Sequence, residues 1–575
     1  MPTFYIDGQP YTYDKPTKLL AFCLEHGIEI PYFCYHPAMS IPANCRMCLV
    51  ETGMPVKNRQ TGEYEREADG SLKIGWGPKP VPACTTDLAP DLHVRTHRTS
   101  PTVRQTQQAV LEFLLINHPL DCPICDQAGE CPLQIWTYKY GPEGSRFEEE
   151  KVHKPKRIRL GPRVMLDAER CINCTRCVRF TEEVSKSRQL TIINRGNKNY
   201  PATAEGKEFD DPYSLNTVDI CPVGALTSAD HRFRARVWEM NYTPTICTGC
   251  ARGCNADVWV RDNLVMRFTP RKNLSINQYW MCDEGRLDYE KYNARRASGL
   301  RQKGDIPIRW EEGLKSIAQT VKAHEGRILF VGSAHASVET LYALKVMKQK
   351  FSPDSPLLYV PHIQEGWGDS FLRRDDRTPN AFTAQALGYQ ATSPQDLLSF
   401  LQTAQYTLLY WVEDDGALEA LLSSLPEKVE VIAHLHRWIE GYEKIAWVLP
   451  AATHLESFAT FVNFEGIAQT VLPARQWAQM TPQDWFYHSK SRLEATGQPV
   501  DRWRHPQNIP DCLPSYLLLM RVAEKAGRPL GLPHEHKVLW QQLKNELPFM
   551  QKATYPPLKR KEIFRQNQLQ FAVKT

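Results

Sequence analysis

The feature that most constrains this chain is the spacing of its cysteines, above all in Cys171–Cys177. Three thiols lie within that heptapeptide, and a fourth, Cys221, follows later, directly before Pro222. Three thiolates from one tight loop with a distant Cys-Pro fourth are typical of a [4Fe–4S] cluster, whereas structural zinc usually takes two separated ligand pairs. Thr181 stands where a two-cluster domain would need another cysteine. We therefore predict one [4Fe–4S] cluster here, with these ligands: Cys171, Cys174, Cys177 and Cys221.

The cysteine content of the whole chain also favours metal over disulfides. There are 17 cysteines in 575 residues, and the N-terminus resembles neither a signal peptide nor a twin-arginine leader. No apolar run reaches the roughly 18 residues of a membrane span. A chain kept in the cytosol uses grouped cysteines for metal rather than for disulfides. Cys23 and Cys512 fall outside the groups, and we predict that both are buried core thiols.

The first hundred or so residues have the order of a plant-type [2Fe–2S] domain. Two alternating runs flank Asp7-Gly8, which predicts a hairpin. A short helix should follow, capped by Thr17 and closed by Gly27, and then a cysteine-bearing loop. Residues 35–44 make the first ligand gap longer than the plant-type pattern, and polar residues 53–80 predict an extended hairpin. The predicted [2Fe–2S] ligands are Cys34, Cys45, Cys48 and Cys84.

A histidine is the predicted fourth ligand of the next cluster. Ser100-Pro101 marks a helix start, and Pro119 ends that helix near His118 because the residue before a proline disfavours helix. Three thiols follow at short spacing, one fewer than a [4Fe–4S] cluster needs: Cys122, Cys125 and Cys131. We therefore predict His118 as a ligand, with a capping or surface histidine as the alternative. Neutral imidazole in place of thiolate should raise the cluster's potential.

The last cysteine group predicts a third [4Fe–4S] cluster. Gly249 and Gly253 lie among its thiols and would let the backbone pass close to a metal. The predicted ligands are Cys247, Cys250, Cys254 and Cys282.

Two charged features accompany the Cys171 group. Residues 146–163 alternate acidic and basic side chains, which indicates either a solvated linker or a docking surface for a partner. Arg176 and Arg179 lie beside the thiols, and positive charge near sulfur stabilises a reduced cluster. The net charge of +5 is too small to indicate nucleic-acid binding.

Beyond residue 297, strand and helix patterns alternate, which predicts a mostly parallel sheet with helices on both faces. The predicted strands are Arg327–Gly332, Thr407–Val412, Val429–His434 and Lys444–Leu449, and the predicted helices are Ser337–Lys350 and Ala417–Leu425. No glycine-rich phosphate-binding motif follows a predicted strand, so we expect no NADH or FMN site in this chain. No catalytic carboxylate pair or nucleophile is apparent, and we predict no catalytic residue.

Taken together, residues 1–290 resemble the large iron–sulfur subunit of respiratory complex I, the G subunit of bacterial NADH-quinone oxidoreductase. The resemblance rests on these stretches: Cys34-Tyr-His-Pro, Asn44-Cys-Arg-Met-Cys-Leu-Val-Glu51, Val81-Pro-Ala-Cys-Thr-Thr86, Asp121-Cys-Pro-Ile-Cys-Asp-Gln-Ala-Gly-Glu-Cys-Pro-Leu-Gln134, Arg170-Cys-Ile-Asn-Cys-Thr-Arg-Cys-Val-Arg-Phe180 and Val218-Asp-Ile-Cys-Pro-Val-Gly-Ala-Leu-Thr227. Later residues resemble the family only loosely, through 449–456 and 461–466.

The resemblance implies an α/β multidomain chain with one [2Fe–2S] and three [4Fe–4S] clusters. The expected domains are a β-grasp [2Fe–2S] ferredoxin domain at 1–99, a His/Cys-ligated [4Fe–4S] helical domain at 100–140, a ferredoxin-like [4Fe–4S] domain at 141–240, a [4Fe–4S] segment of molybdopterin-oxidoreductase type at 241–297, and a shortened domain of that type at 298–575. Those enzymes need a metal ligand about a hundred residues after the cluster, and no cysteine lies between Cys282 and Cys512. No molybdopterin is therefore expected.

By the same resemblance, the chain should relay electrons from a flavin- and NADH-binding subunit toward quinone in proton-pumping respiration. Its partners would be the other peripheral-arm subunits of complex I, on the cytoplasmic side of the plasma membrane, with no membrane span of its own. Three alternatives stay open: a subunit of a soluble NAD-linked hydrogenase, a subunit of a molybdenum formate dehydrogenase, and a zinc-bound module without redox activity.

Overall fold

The computed structural model describes residues 1–303, 305–403, 405–478 and 508–556. They form two compact units, Met1–Val237 and a second that begins at Trp238. Within these residues no helix is both long and apolar enough to cross a bilayer. The predicted domain at 298–575 includes residues 479–507 and 557–575, which lie outside the described residues.

The first unit begins with a mixed sheet packed on a short helix. Its elements are β1 (Thr3–Ile6), β2 (Gln9–Thr12), α1 (Leu19–Glu25), β3 (Leu49–Pro55), β4 (Ile74–Trp76), β5 (Val81–Pro82) and β6 (His93–Arg95). The strand order is β2-β1-β6-β3-β4, and β5 also pairs with β3. β1 and β6 are parallel, whereas β1 and β2 form the hairpin predicted at Asp7-Gly8. The buried face of α1 packs on this sheet and includes Cys23, as predicted.

The start of α1 differs from the prediction. Lys18 occupies the N-cap position and makes no side-chain cap, so Thr17 is not the capping residue. Gly27 closes the helix with φ +70°, as expected for a glycine in the left-handed region. The hairpin predicted in residues 53–80 is present as the antiparallel pair β3 and β4.

The rest of the first unit consists of helices and short strands around cysteine-bearing loops. They are α2 (Pro101–Ile116), α3 (Pro132–Tyr140), β7 (Ile158–Arg159), β8 (Val164–Leu166), α4 (Arg176–Arg179), β9 (Thr191–Ile193), β10 (Tyr200–Ala202), α5 (Asn216–Ile220) and β11 (Leu226–Ser228). The Ser100 side chain accepts a hydrogen bond from the Val103 amide, which confirms the predicted start of α2. The helix ends before His118, as predicted. Apart from α2 and α3, the elements that flank these loops are therefore only a few residues long.

Part of the charged stretch 146–163 packs against the rest of the first unit. Lys151 Nζ donates to the Leu115 and Ile116 carbonyls at 2.8 and 2.7 Å, which neutralises the carbonyl end of α2. Lys156 Nζ donates to Asp121 at 2.7 Å. This stretch therefore ties the region around α2 to the region that carries Cys171.

The second unit opens with an antiparallel three-stranded sheet and continues into a larger α/β layer. The first elements are β12 (Asn241–Ile246), β13 (Asn255–Arg261), β14 (Leu264–Pro270), α6 (Asp283–Leu287) and α7 (Glu290–Asn293). The larger layer contains β15 (Arg301–Gln302), β16 (Ile306–Pro307), α8 (Trp310–Ala323), β17 (Ile328–Gly332), α9 (Val338–Phe351), β18 (Leu357–Tyr359), α10 (Ala381–Ala386), β19 (Gln390–Ala391), α11 (Pro394–Gln402), β20 (Leu408–Val412), α12 (Ala417–Leu421), β21 (Glu430–Leu435), β22 (Trp447–Pro450), β23 (Ala459–Val462), β24 (Ala468–Val471), α13 (Ser515–Lys525) and α14 (His536–Glu546).

In the described part of this unit, eight strands form one sheet in the order β16-β15-β22-β21-β20-β17-β18-β19. The pairs from β22 to β19 are parallel, and β15 and β16 are antiparallel additions at one edge. β17 (ILFVG) and β20 (LLYWV) are buried along their whole length, as expected for strands covered on both faces. One hydrophobic core lies on each face, and Cys512 is fully buried, as predicted.

The predicted strands of this layer are present within about three residues of their expected ends, and the predicted helix at 337–350 is α9. The helix predicted at 417–425 is shorter, because α12 ends at Leu421.

Candidate metal centres

The four thiols predicted to hold the [2Fe–2S] cluster come together beside the first sheet. Cys34, Cys45 and Cys48 lie in the loop between α1 and β3, and Cys84 lies two residues after the end of β5. A hydrogen bond from the Cys34 thiol lowers the pKa of Cys45 to about 6, and the pKa of Cys34 rises correspondingly. Cys48 and Cys84 form a second such pair, in which the pKa of Cys48 is raised and that of Cys84 is lowered. Metal binding at these thiols would release the protons that they carry.

The second predicted group lies between α2 and α3. Cys122 is exposed, whereas Cys125 and Cys131 are buried, and the Cys131 thiol donates to the Pro222 carbonyl at 3.7 Å. Gly224 passes so close to this group that an added Cβ would lie 2.1 Å from Cys125 Sγ. Only glycine therefore fits beside that thiol.

His118 follows α2 and is held as a neutral imidazole. Burial, with the nearby charges of Arg170 and Lys151, lowers the pKa of His118 to about 4. A neutral imidazole is the form that ligates metal. Asp121, between His118 and the thiols, accepts hydrogen bonds from Arg170 Nε and Nη2 at 3.0 and 2.9 Å. His118 remains the sequence-based candidate for the fourth ligand.

The third predicted group surrounds a small cavity that all four of its thiols line: Cys171, Cys174, Cys177 and Cys221. Asn173 and Thr175 take left-handed backbone conformations, with φ of 52° and 61°, which wraps the loop tightly. The Asn173 amide donates to Cys171 Sγ at 3.4 Å. Burial raises the pKa of Cys171 to about 12, so these thiols stay protonated until a metal displaces the protons.

Arg176 and Arg179 connect this loop to the [2Fe–2S] loop. Arg176 donates to the Ile220 carbonyl at 2.9 Å, beside Cys221, and also to the Tyr35 carbonyl, beside Cys34. Arg179 donates to the carbonyl of Cys34 itself. The two guanidinium groups were expected near the Cys171 thiols, but the sequence did not indicate that they also bind the other loop.

The fourth predicted group lies in the second unit, at the turn between β12 and β13. Its four thiols line one small cavity: Cys247, Cys250, Cys254 and Cys282. The Gly249 and Gly285 amides donate to Cys247 and Cys282 Sγ at 3.4 and 3.3 Å. An added Cβ at Gly285 would lie 2.8 Å from Cys247 Sγ. Buried thiols, amide donors and a close glycine backbone fit a [4Fe–4S] cluster.

Sequence reasoning missed the segment that covers this fourth group. Trp367, Leu372 and Arg373 line the same cavity as the thiols. Arg377 Nε donates to the Gly249 carbonyl at 2.8 Å. The arginine-rich run at 373–377 was the available signal, but nothing in its spacing relates it to cysteines that lie at least 91 residues earlier.

Four family models match successive parts of the chain. They are described as a 2Fe-2S iron-sulfur cluster binding domain at residues 1–99, the NADH-ubiquinone oxidoreductase-G iron-sulfur binding region at 107–146, the ferredoxin-like domain of NADH-quinone oxidoreductase subunit 3 at 161–227, and the molybdopterin oxidoreductase Fe4S4 domain at 240–294. Each of the four cysteine groups lies largely or wholly within one of these matches, and the chain therefore has [2Fe–2S] and [4Fe–4S] binding domains.

Curated relatives point the same way. The NADH-quinone oxidoreductase G subunit of Rickettsia bellii is 37% identical over 350 residues, which cover 60% of this chain and 48% of the relative. Over the matched residues, the chain is similar to NADH-quinone oxidoreductase G subunits. The G subunit of Streptomyces coelicolor is 37% identical over 59% of this chain and 38% of its own length. The NADH-ubiquinone oxidoreductase 75 kDa subunit of Reclinomonas americana is 36% identical over 61% and 48%.

The chain thus spans about half, or less, of the length of these relatives. A solved chain from an NAD+-reducing [NiFe]-hydrogenase in the H2-reduced state is 26% identical and covers 41% of this chain, with a TM-score of 0.33. A score that low does not establish a shared fold.

Proposed function

We propose that this chain is the iron–sulfur electron-transfer subunit of an NADH:quinone oxidoreductase of the complex I type. It would take electrons from a flavin- and NADH-binding subunit and pass them toward quinone. The observation that carries the proposal is that two of the predicted ligand sets each line a small cavity of their own, in a chain whose successive segments match models of NADH-quinone oxidoreductase iron–sulfur domains. The chain itself would contribute no substrate-binding catalytic site.

The proposed cofactors are one [2Fe–2S] and three [4Fe–4S] clusters, held by the ligand sets predicted above. These clusters supply one-electron transfer. The chain's own residues bury the thiols, direct backbone amides at sulfur and place Arg176 and Arg179 against two of the loops. Positive charge and amide donors near sulfur favour the reduced, more negative state.

The proposed domain boundaries are 1–99, 100–140, 141–240, 241–297 and 298–575. The first would be a β-grasp domain, and the last a shortened relative of the molybdopterin oxidoreductases that has lost its cofactor. The partners would be peripheral-arm subunits of complex I, and the complex would lie on the cytoplasmic side of the plasma membrane.

Iron and sulfide assay of the reconstituted protein tests the cluster complement. We expect about 14 iron atoms for each chain, two from the [2Fe–2S] cluster and four from each of the others. A saturated value near 6 or near 18 would contradict the proposed ligand sets. Molybdenum in the native protein would contradict the absence of a pterin cofactor.

A pair of substitutions tests which groups carry electrons. In the family that this chain resembles, the fourth cluster lies off the main route and serves stability. Cys250→Ala is therefore expected to reduce assembly more than turnover of assembled complex, whereas Cys174→Ala should abolish NADH-to-quinone turnover. Equal loss of turnover in the two assembled variants would show that the fourth cluster is on the route.

A further inference from the structure

Three side chains outside the cysteine groups meet at one edge of the large sheet. His335 follows β17, His362 follows β18 and Asp415 follows β20. These three strands are parallel neighbours in the order β20-β17-β18, so their carboxyl ends lie side by side. After β17 the chain forms β18 on one side of that strand, and it later forms β20 on the other side of the same strand. Ligands of open α/β sheets bind where the winding reverses in this way.

The three side chains have spacings that suit a shared cation. One potential ligand atom from each lies within 4.8 Å of the others. His362 Nε2 is 3.1 Å from Asp415 Oδ1, and His335 Nδ1 is 3.7 Å from Asp415 Oδ2. Ligand atoms at about 2.0–2.1 Å from a tetrahedral metal are roughly 3.4 Å apart. The atoms therefore need to move only slightly to share an ion.

The two ring nitrogens are not satisfied by the carboxylate. Both are buried, and neither makes a hydrogen bond of acceptable geometry. The Asp415 oxygens are therefore close to the rings but off the direction in which a ring N–H or lone pair points. A buried ring nitrogen without a hydrogen-bond partner is unfavourable unless another group lies along the direction in which that nitrogen donates or accepts. A metal ion would satisfy both nitrogens at once.

Ser333 and Asp414 favour a cation at this position, although Lys291, Arg296 and Arg437 also line the adjoining cavity. Ser333 Oγ donates to Asp415 Oδ2 at 2.7 Å, the kind of contact that orients a metal-ligating carboxylate. His335 and Asp415 line a cavity of about 340 Å³. Asp414 lines it too, and its Oδ2 is buried without a hydrogen-bond partner. An ion here would therefore have further negative charge beside it and an open position toward the cavity.

We propose that His335, His362 and Asp415 bind a divalent first-row transition cation, for which Zn²⁺ is the test ion. Two imidazoles and one carboxylate are ligands of the type that zinc, iron(II) and nickel accept. Three protein ligands with a position left for water resemble a catalytic rather than a closed structural site. The site shares no ligand with the cysteine groups and does not depend on the proposed electron transfer.

The test uses the full chain after its iron–sulfur clusters have been reconstituted, so that the cysteine groups are occupied. The protein is equilibrated with Zn²⁺ and desalted, and zinc and iron are counted in the same sample. Wild type is expected to retain one zinc ion, and His362→Asn should weaken zinc binding more than about tenfold. The matched control is His534→Asn, which alters an exposed histidine paired with Glu524 in the same unit and should retain the ion.

X-ray absorption at the zinc edge distinguishes the proposed site from a cysteine group, because Zn–N and Zn–O bonds are shorter than Zn–S bonds. Sulfur ligation, or full zinc retention by His362→Asn, would overturn the proposal. So would wild-type protein that has its full iron content but binds no zinc. The His362 side chain is 31% exposed, so its substitution should not prevent folding. Asp415→Asn supplies a second test, with iron content as the check on folding.

Discussion

Gly224→Ala should remove one cluster by displacing a single sulfur. The added Cβ would lie 2.1 Å from Cys125 Sγ and 3.2 Å from the Cβ of Gln127. Non-bonded heavy atoms need about 3.5 Å, so the thiol or the backbone must move by more than about 1 Å. Metal ligands tolerate only about 0.2 Å. Overpacking of this kind costs about 1–3 kcal/mol, and here the displaced atom is a predicted ligand.

The expected result is selective loss of the cluster predicted at His118, Cys122, Cys125 and Cys131. Iron should fall by about four of about 14 atoms for each chain, and that cluster's electron paramagnetic resonance signal should disappear. The [2Fe–2S] signal should remain, because its predicted ligands form a separate group in loops beside the first sheet. Gly144→Ala is the matched control, since an added Cβ at Gly144 meets nothing within 4 Å. Wild-type iron content and an unchanged spectrum in Gly224→Ala would refute the reasoning.

Three other predictions concern ligation and stability. His118→Cys should keep its cluster but lower the reduction potential of that cluster, because thiolate returns a negative charge near the metal. Redox titration of the cluster's electron paramagnetic resonance signal measures this. An unaltered four-iron signal in His118→Ala would show that His118 is not a ligand. Glu456→Gln should destabilise the second unit by about 3–5 kcal/mol in urea unfolding, because buried Glu456 pairs with Arg296 at 2.6 Å and lies 3.6 Å from Arg475. Burial alone would raise the pKa of Glu456, but the two arginines hold it below its usual value. The difference between wild type and Glu456→Gln should therefore be complete above about pH 4.3 and shrink as the pH falls through the lower folded-state pKa.

The stability predictions have their own control. Glu465→Gln removes the charge of an exposed glutamate in the same unit and should change the free energy of unfolding by less than about 0.5 kcal/mol. A Glu456→Gln variant as stable as Glu465→Gln would mean that the buried ion pairs do not stabilise this unit. A difference that persisted unchanged at acid pH would show that it does not depend on ionisation of Glu456.

Local features were predictable because each depends on neighbours in the sequence. The hairpin at Asp7-Gly8 follows from turn chemistry, and the start of α2 follows from the capping side chain of Ser100. The cap assigned to Thr17 was wrong because Lys18 takes that position without a side-chain bond. Residue type favours a cap, but packing against the sheet decides where a short helix begins.

The amino-acid sequence by itself determined the grouping of the cysteines and the alternation of strands and helices, since both depend on residues that are only a few positions apart. Only the tertiary structure brought Gly224 against Cys125, Arg179 against Cys34, and His335 and His362 beside Asp415. These partners are separated by 53 to 145 positions along the chain, so no local pattern relates them. Their proximity follows from close packing and from the order in which parallel strands assemble, which are properties of the folded chain.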